Sequence, residues 1–164
     1  MPKNRCGGKV KVMENLHKSS SHVQMQAENV LYQKVEGLLN IEFERNKRIY
    51  LADNAFTYMQ PDFYSEEHRV IGEIFAHVGK PKKAQDNKIA NDILKMLLLE
   101  RTAGLQYRKI LVVCDIDEKK KLEGQSVLAE SIRQFGVEVM HVEIDAETQK
   151  QILAAQELQK MTNV

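Results

Sequence analysis

One segment limits the architecture more than any other: YRKILVVCD, Tyr107 to Asp115, in which no polar residue interrupts the run from Ile110 to Cys114. A strand with one solvated face alternates apolar and polar residues, whereas a strand covered on both faces does not. This segment therefore belongs in the middle of a sheet. Ahead of it, Ile89, Ile93, Met96 and Leu97 recur on one face of a predicted helix from Ala84 to about Thr102, with Gly104 as its stop. Behind it lie a predicted helix from about Gln125 to Phe135, a stop at Gly136, and the strand VEVMHVEI, Val137 to Ile144. Helical crossovers on both sides of Tyr107–Asp115 imply parallel pairing there. A last helix spans about Ala146 to Lys160.

Upstream, RIYLAD, FTYMQPDFYS and RVIGEIFAH are short, rich in β-branched and aromatic residues, and separated by polar turns, so they read as three antiparallel strands. Ser21 and Gln24 have capping-box spacing, and Ala27, Leu31, Val35 and Leu38 follow at helical spacing, which predicts a first helix over about 22–39. The expected fold class is α/β. An antiparallel meander leads into later parallel strands in one mixed β-sheet, with helices on both faces.

At 164 residues, 43% of them hydrophobic and 29% charged, the chain suits a single globular domain. The expected division is a basic, disordered arm over 1–20 and one α/β domain over 21–164. Residues 1–22 carry a net charge of +4 and the remainder −3; such an arm fits attraction to phosphate as well as a solvated tail. No apolar run approaches the ~20 residues that span a bilayer, and the N-terminus lacks an apolar signal segment, so the expectation is a cytoplasmic protein with no membrane partner. Cys6 and Cys114 form neither a disulfide framework nor a zinc spacing.

The unusual charge is Glu73. If Arg69–His77 is a strand, Ile71, Glu73, Phe75 and His77 share a face, so a carboxylate stands between apolar neighbours. Buried there, it must be protonated, paired or bound to a metal. Asp62 lies one strand earlier. A two-residue turn at Glu67–His68 or a four-residue loop over Glu66–Arg69 sets positions 62 and 73 opposite each other, whereas a three-residue loop separates them. Pro61 complicates the count, because proline in a sheet marks an edge or a bulge. Two convergent carboxylates suit a hard cation such as Mg²⁺ or Mn²⁺, and so phosphodiester hydrolysis. An exposed edge-strand Glu73 and an ordinary turn Asp62 are the bland alternative.

With Pro61-Asp62 on one strand, Glu73 on the next, a helix bearing polar residues on its first turns, and then KILVVCD, the chain resembles the PD-(D/E)XK nuclease superfamily, the restriction-endonuclease-like fold, over roughly Ser21 to Ile144. The resemblance implies a metal-dependent nuclease cutting DNA or RNA, with Asp62 and Glu73 as metal ligands. It also implies a lysine two residues beyond the glutamate, where this chain has Phe75. Family members can supply that lysine from a neighbouring helix, which makes Lys88 the candidate, on a polar stripe with Gln85, Asp92 and Lys95. His77 is a second candidate base or phosphate contact. Glu28, on the first helix, is an auxiliary acid by the same resemblance.

Lys80, Lys82 and Lys83, with Lys88, form a positive surface beside the proposed site and are candidate nucleic-acid contacts. Solubility alone also explains a lysine-rich loop. Because Phe75 replaces the lysine, the alternative is a catalytically inactive nuclease-fold module that binds nucleic acid or a protein partner; a purely structural subunit is a third reading, and a homodimer is left open. In a competing metal reading, Glu73 followed by a helix and the pair Asp115 and Asp117 somewhat resembles a topoisomerase-primase metal domain, but loop initiation explains those two aspartates more simply.

Overall fold

A computed structural model describes residues 7–51, 56–79 and 83–162, with side chains over 21–51, 56–79 and 83–161. Its central sheet has four strands in the order β3 (Phe63–Ser65), β4 (Val70–Phe75), β5 (Arg108–Val113) and β6 (Val137–His141). The first pair is antiparallel and the next two are parallel. Leu111, Val112 and Val113 are fully buried, so the unbroken apolar segment does occupy an interior strand.

Helix α2 (Lys83–Ala103) crosses from β4 to β5, while α3 (Ile116–Leu122) and α4 (Val127–Gln134) cross from β5 to β6. The sheet grows in one direction across these strands, so crossovers of one hand must cover one face. Ile89, Ile93 and Met96 of α2, Leu122 of α3 and Ile132 of α4 accordingly pack together on Ile71, Phe75, Leu111 and Val113. The opposite face, Val70, Ile74, Ile110 and Val112, lies under α1 (Gly7–Leu39) and α5 (Ala146–Thr162) through Leu31, Val35 and Ile152. The helices thus lie on both faces of a mixed sheet.

Several boundaries differ from expectation. Helix α1 begins at Gly7, so Ser21 and Gln24 lie in its interior; the Gln24 amide donates to Glu28 Oε1 at 3.3 Å instead of capping an end. Ala27, Leu31 and Val35 are buried, but Leu38 is exposed. The expected three-stranded meander is broken at Pro61, which has no N–H to donate to a ladder. FTYMQPDFYS becomes β2 (Tyr58–Met59) and β3, and β2 pairs with β1 (Ile49–Tyr50) as a separate antiparallel ribbon. Residues 52–55 of that region, and residues 1–6 of the expected arm, lie outside the described residues. Strand β6 ends at His141, short of Ile144, and α3 occupies a stretch expected to be loop.

The hairpin that carries the candidate acids is fixed by its turn and by one glycine. Ser65 pairs with Val70, leaving a four-residue turn, and Arg69 closes it by donating its N–H to the Glu66 carbonyl at 3.2 Å with φ 50°. Phe63 pairs with Gly72, and a Cβ at position 72 would stand 2.0 Å from the Phe63 ring. Glycine there makes room for a fully buried phenylalanine between the hairpin and α1.

Candidate functional site

Continuing the β3–β4 register by one step sets Asp62 opposite Glu73, as the even-length turn requires. Asp62 is half-buried and its Oδ2 accepts the Ile74 backbone N–H at 2.7 Å, which anchors the carboxylate beside β4 just ahead of β3. Glu73 is 6% exposed. Burial pushes its carboxyl up to about 9, helped by the negative charges of Asp62 and Asp92 and by a hydrogen bond to Asp62, while Lys88 opposes the shift. At neutral pH Glu73 therefore keeps its proton, as expected of a buried carboxyl that faces a second acid.

Lys88 is brought to this site by α2. Its Nζ lies 4.6 Å from the centroid of the Phe75 ring, so the ammonium of one residue covers the side chain that stands two positions beyond Glu73. A cation over an aromatic face is attracted by the ring quadrupole. One turn further along α2, Asp92 forms an ion pair with Lys95 at 2.9 Å. That hydrogen bond raises the Lys95 ammonium, which also feels the charges of Glu73 and Asp62.

Glu28 approaches from α1. Burial raises its carboxyl and the Asp62 charge adds to the effect, while Lys88 and Arg45 oppose it. The fold thus gathers Glu28, Asp62, Glu73 and Lys88 from α1, the β2–β3 connection, β4 and α2. His77 lies past the end of β4, half-buried, and lines a cavity with Lys88. Lys83 is exposed at the first position of α2, and Lys80 and Lys82 lie outside the described residues.

In the sequence Asp92 stands on the polar stripe of α2, four residues beyond Lys88. It is 3% exposed, Lys95 holds Oδ1, and Oδ2 has no hydrogen-bond partner. A buried carboxylate oxygen left unsatisfied costs on the order of 1–3 kcal/mol or more, so such an atom marks a place where a further ligand would be stabilising. The signal was its position one turn beyond Lys88, on a helix whose remaining inward residues are apolar.

The donors here are carboxylate oxygens, which suit Mg²⁺ or Mn²⁺ rather than a soft metal. Among the described residues no three His, Cys, Asp or Glu side chains are already gathered closely enough to form a metal-binding group. Asp62 and Glu73 are thus a two-carboxylate pair, and water or substrate would complete a cation's coordination. Asp115 and Asp117 are arranged otherwise. Asp115 caps α3, accepting the Asp117 N–H at 2.8 Å through one oxygen and the Gly79 N–H at 2.8 Å through the other, and Asp117 is exposed. Cys114 is buried, and that burial pushes its thiol up to about 12, so it is no nucleophile at neutral pH.

The fold and site together define an α/β protein with a mixed four-stranded sheet, a small antiparallel ribbon and a buried Glu73 that faces a half-buried Asp62 on the first hairpin of the main sheet. No helix among the described residues is long and apolar enough to cross a membrane. Comparison with protein-family models, with curated proteins and with solved structures found no match.

Proposed function

We propose that this chain is a metal-dependent nuclease of restriction-endonuclease-like fold, hydrolysing phosphodiester bonds of DNA or RNA. One observation carries the reading: a buried Glu73 opposes a half-buried Asp62, and Lys88 covers Phe75 beside them. Asp62 and Glu73 would hold Mg²⁺ or Mn²⁺, with Glu73 giving up its proton. Bound there, the cation would polarise a phosphoryl oxygen and acidify a coordinated water.

The chain's own residues divide the remaining work by position. Lys88 offsets the negative charge that develops on the phosphate, at the place where the family resemblance calls for a lysine. The Ile74 N–H keeps Asp62 turned towards the pair. Glu28 adds charge on the side of Asp62, and Lys83 extends the positive surface along α2.

The second reading, a catalytically inactive module that binds nucleic acid or a protein partner, is favoured by Phe75 itself, since the motif lysine is replaced by an apolar ring. Cleavage of single- and double-stranded DNA and of RNA with Mg²⁺ separates the two. The nuclease reading expects cleavage by the wild type that Asp62→Ala and Glu73→Ala abolish. Salt-sensitive binding without cleavage, undiminished in both variants, supports the inactive module.

A further inference from the structure

Beyond the carboxyl pair, on the other side of Lys88, lies a cavity of about 300 Å³ between the end of β4 and helices α1, α2 and α5. Its character is opposite to that of the acids. Among the described residues that line it none is Asp or Glu; the polar ones include His77, Lys88, Lys160, Gln24, Gln85 and Gln159. The floor is apolar, formed by Ile74, Ala76, Ile152 and Ala155. The wall is fixed, because the Gln156 side chain accepts the Val78 N–H at 3.2 Å and donates to the Val78 carbonyl at 2.8 Å, tying α5 to the chain leaving β4. Lys160 also pairs with Glu157 on its own helix, and both are substantially exposed, so that pair is weak.

We propose that this cavity binds a single nucleotide unit of a nucleic-acid strand, its phosphate towards Lys88 and its base over the apolar floor among the glutamine amides. The chemistry points there from three sides. Two lysines, Lys88 and Lys160, with no acid in the lining itself favour an anion; an apolar floor favours a flat ring; side-chain amides both donate and accept, as base edges require. The size bears on the form of the substrate. A cavity at the lower end of the range for small-molecule sites, which begins at about 300 Å³, takes one unstacked nucleotide and not a base pair, so the strand entering it must be single-stranded or locally opened. The cavity shares Lys88 with the carboxyl pair, so a nucleotide seated in it brings a phosphate linkage next to Asp62 and Glu73. This inference rests on the nuclease reading for its purpose, but not for its test.

Binding is measured on the full chain in chelator, without divalent cation, by titrating a nucleoside monophosphate, the corresponding nucleoside and inorganic phosphate and following backbone amide NMR signals. The expected result is saturable binding of the monophosphate, with shifts at Ala76, His77, Gln85 and Gln159, and binding at least about tenfold weaker for both the nucleoside and inorganic phosphate. Ala155→Met, which fills the floor, and Gln159→Leu, which removes a half-buried lining amide of α5, should each weaken the monophosphate by a similar factor, with thermal melts confirming that the variants fold. Absence of monophosphate binding, equal affinity for inorganic phosphate, or binding unchanged in both folded variants overturns the proposal. Nucleotide binding with no cleavage under any metal condition would instead remove the nuclease reading and leave the cavity's role standing.

Discussion

Asp62 faces Glu73 across the first hairpin of the main sheet, and its Oδ2 is held at 2.7 Å by the backbone N–H of Ile74, the residue after Glu73. One hairpin thereby sets both the distance and the facing of two acids that would repel if both were ionised. Their closeness is stabilising only while a proton or a cation lies between them.

The protonated pair makes stability depend on pH. Glu73 has a folded-state value of about 9 against an ordinary 4.5, so over that interval the folded chain retains a proton that the unfolded chain has lost. The folded state binds more protons, and its stability falls as pH rises. The contribution is fully present below about pH 4.5 and lost as pH climbs through about 9. Melting temperatures in chelator from about pH 5 to pH 9 should fall more steeply for the wild type than for Glu73→Gln, which cannot ionise. Parallel curves would remove the buried proton from the account.

Lys88 and Phe75 predict an exchange. Lys88→Met should lower the cleavage rate by about 10²- to 10³-fold, the scale seen when one charge-stabilising group is removed from a reaction site. Adding Phe75→Lys in that background returns an ammonium to the same face of β4 and should recover part of the loss. Cleavage rates with saturating Mn²⁺ provide the check. Full activity in Lys88→Met would take Lys88 out of the chemistry, and a double variant no better than the single one would show that position 75 cannot serve it.

The relation of Asp62 to Glu73 could be read from the chain because it depends on local facts: alternation along β4 and an even turn over Glu66–Arg69. Asp92 was harder to read. Its place on the polar stripe of α2 was visible, yet whether it would pair with Lys88 or with Lys95 depends on how the helix is rotated over the sheet, and packing of Ile89, Ile93 and Met96 decides that. Helix α3 was missed for the opposite reason. Asp115 as cap, Asp117 and Glu118 in the first turn and three lysines in the last spell a helix, but this short helix has little apolar periodicity and buries Leu122 as its main core contact. The break at Pro61 followed from its missing N–H; the separate ribbon of β1 and β2 depended on long-range pairing that no local pattern encodes.

Beneath α2, Lys109 is 4% exposed and its ammonium binds Glu100 at 2.6 Å. Glu100 also accepts the Tyr107 N–H at 2.8 Å, so one carboxylate fastens the end of α2 to the start of β5. Glu100→Ala leaves a buried ammonium without its counter-charge and should cost about 3–5 kcal/mol. Paired replacement, Glu100→Leu with Lys109→Met, should cost less, since apolar groups in the same space need no partner. Urea unfolding of the two variants gives the comparison; equal losses would mean that the ion pair is not what holds this joint.

The most direct measurement is Mn²⁺ binding to the wild type near pH 7 by calorimetry in two buffers of different ionisation enthalpy. Because the carboxyl pair carries a proton that a bound cation must displace, binding should release about one proton per ion, and Asp62→Ala and Glu73→Gln should each abolish it. A wild type that binds no Mn²⁺, or that binds it without proton release and equally well in both variants, would contradict the central claim that Asp62 and Glu73 form the cation site.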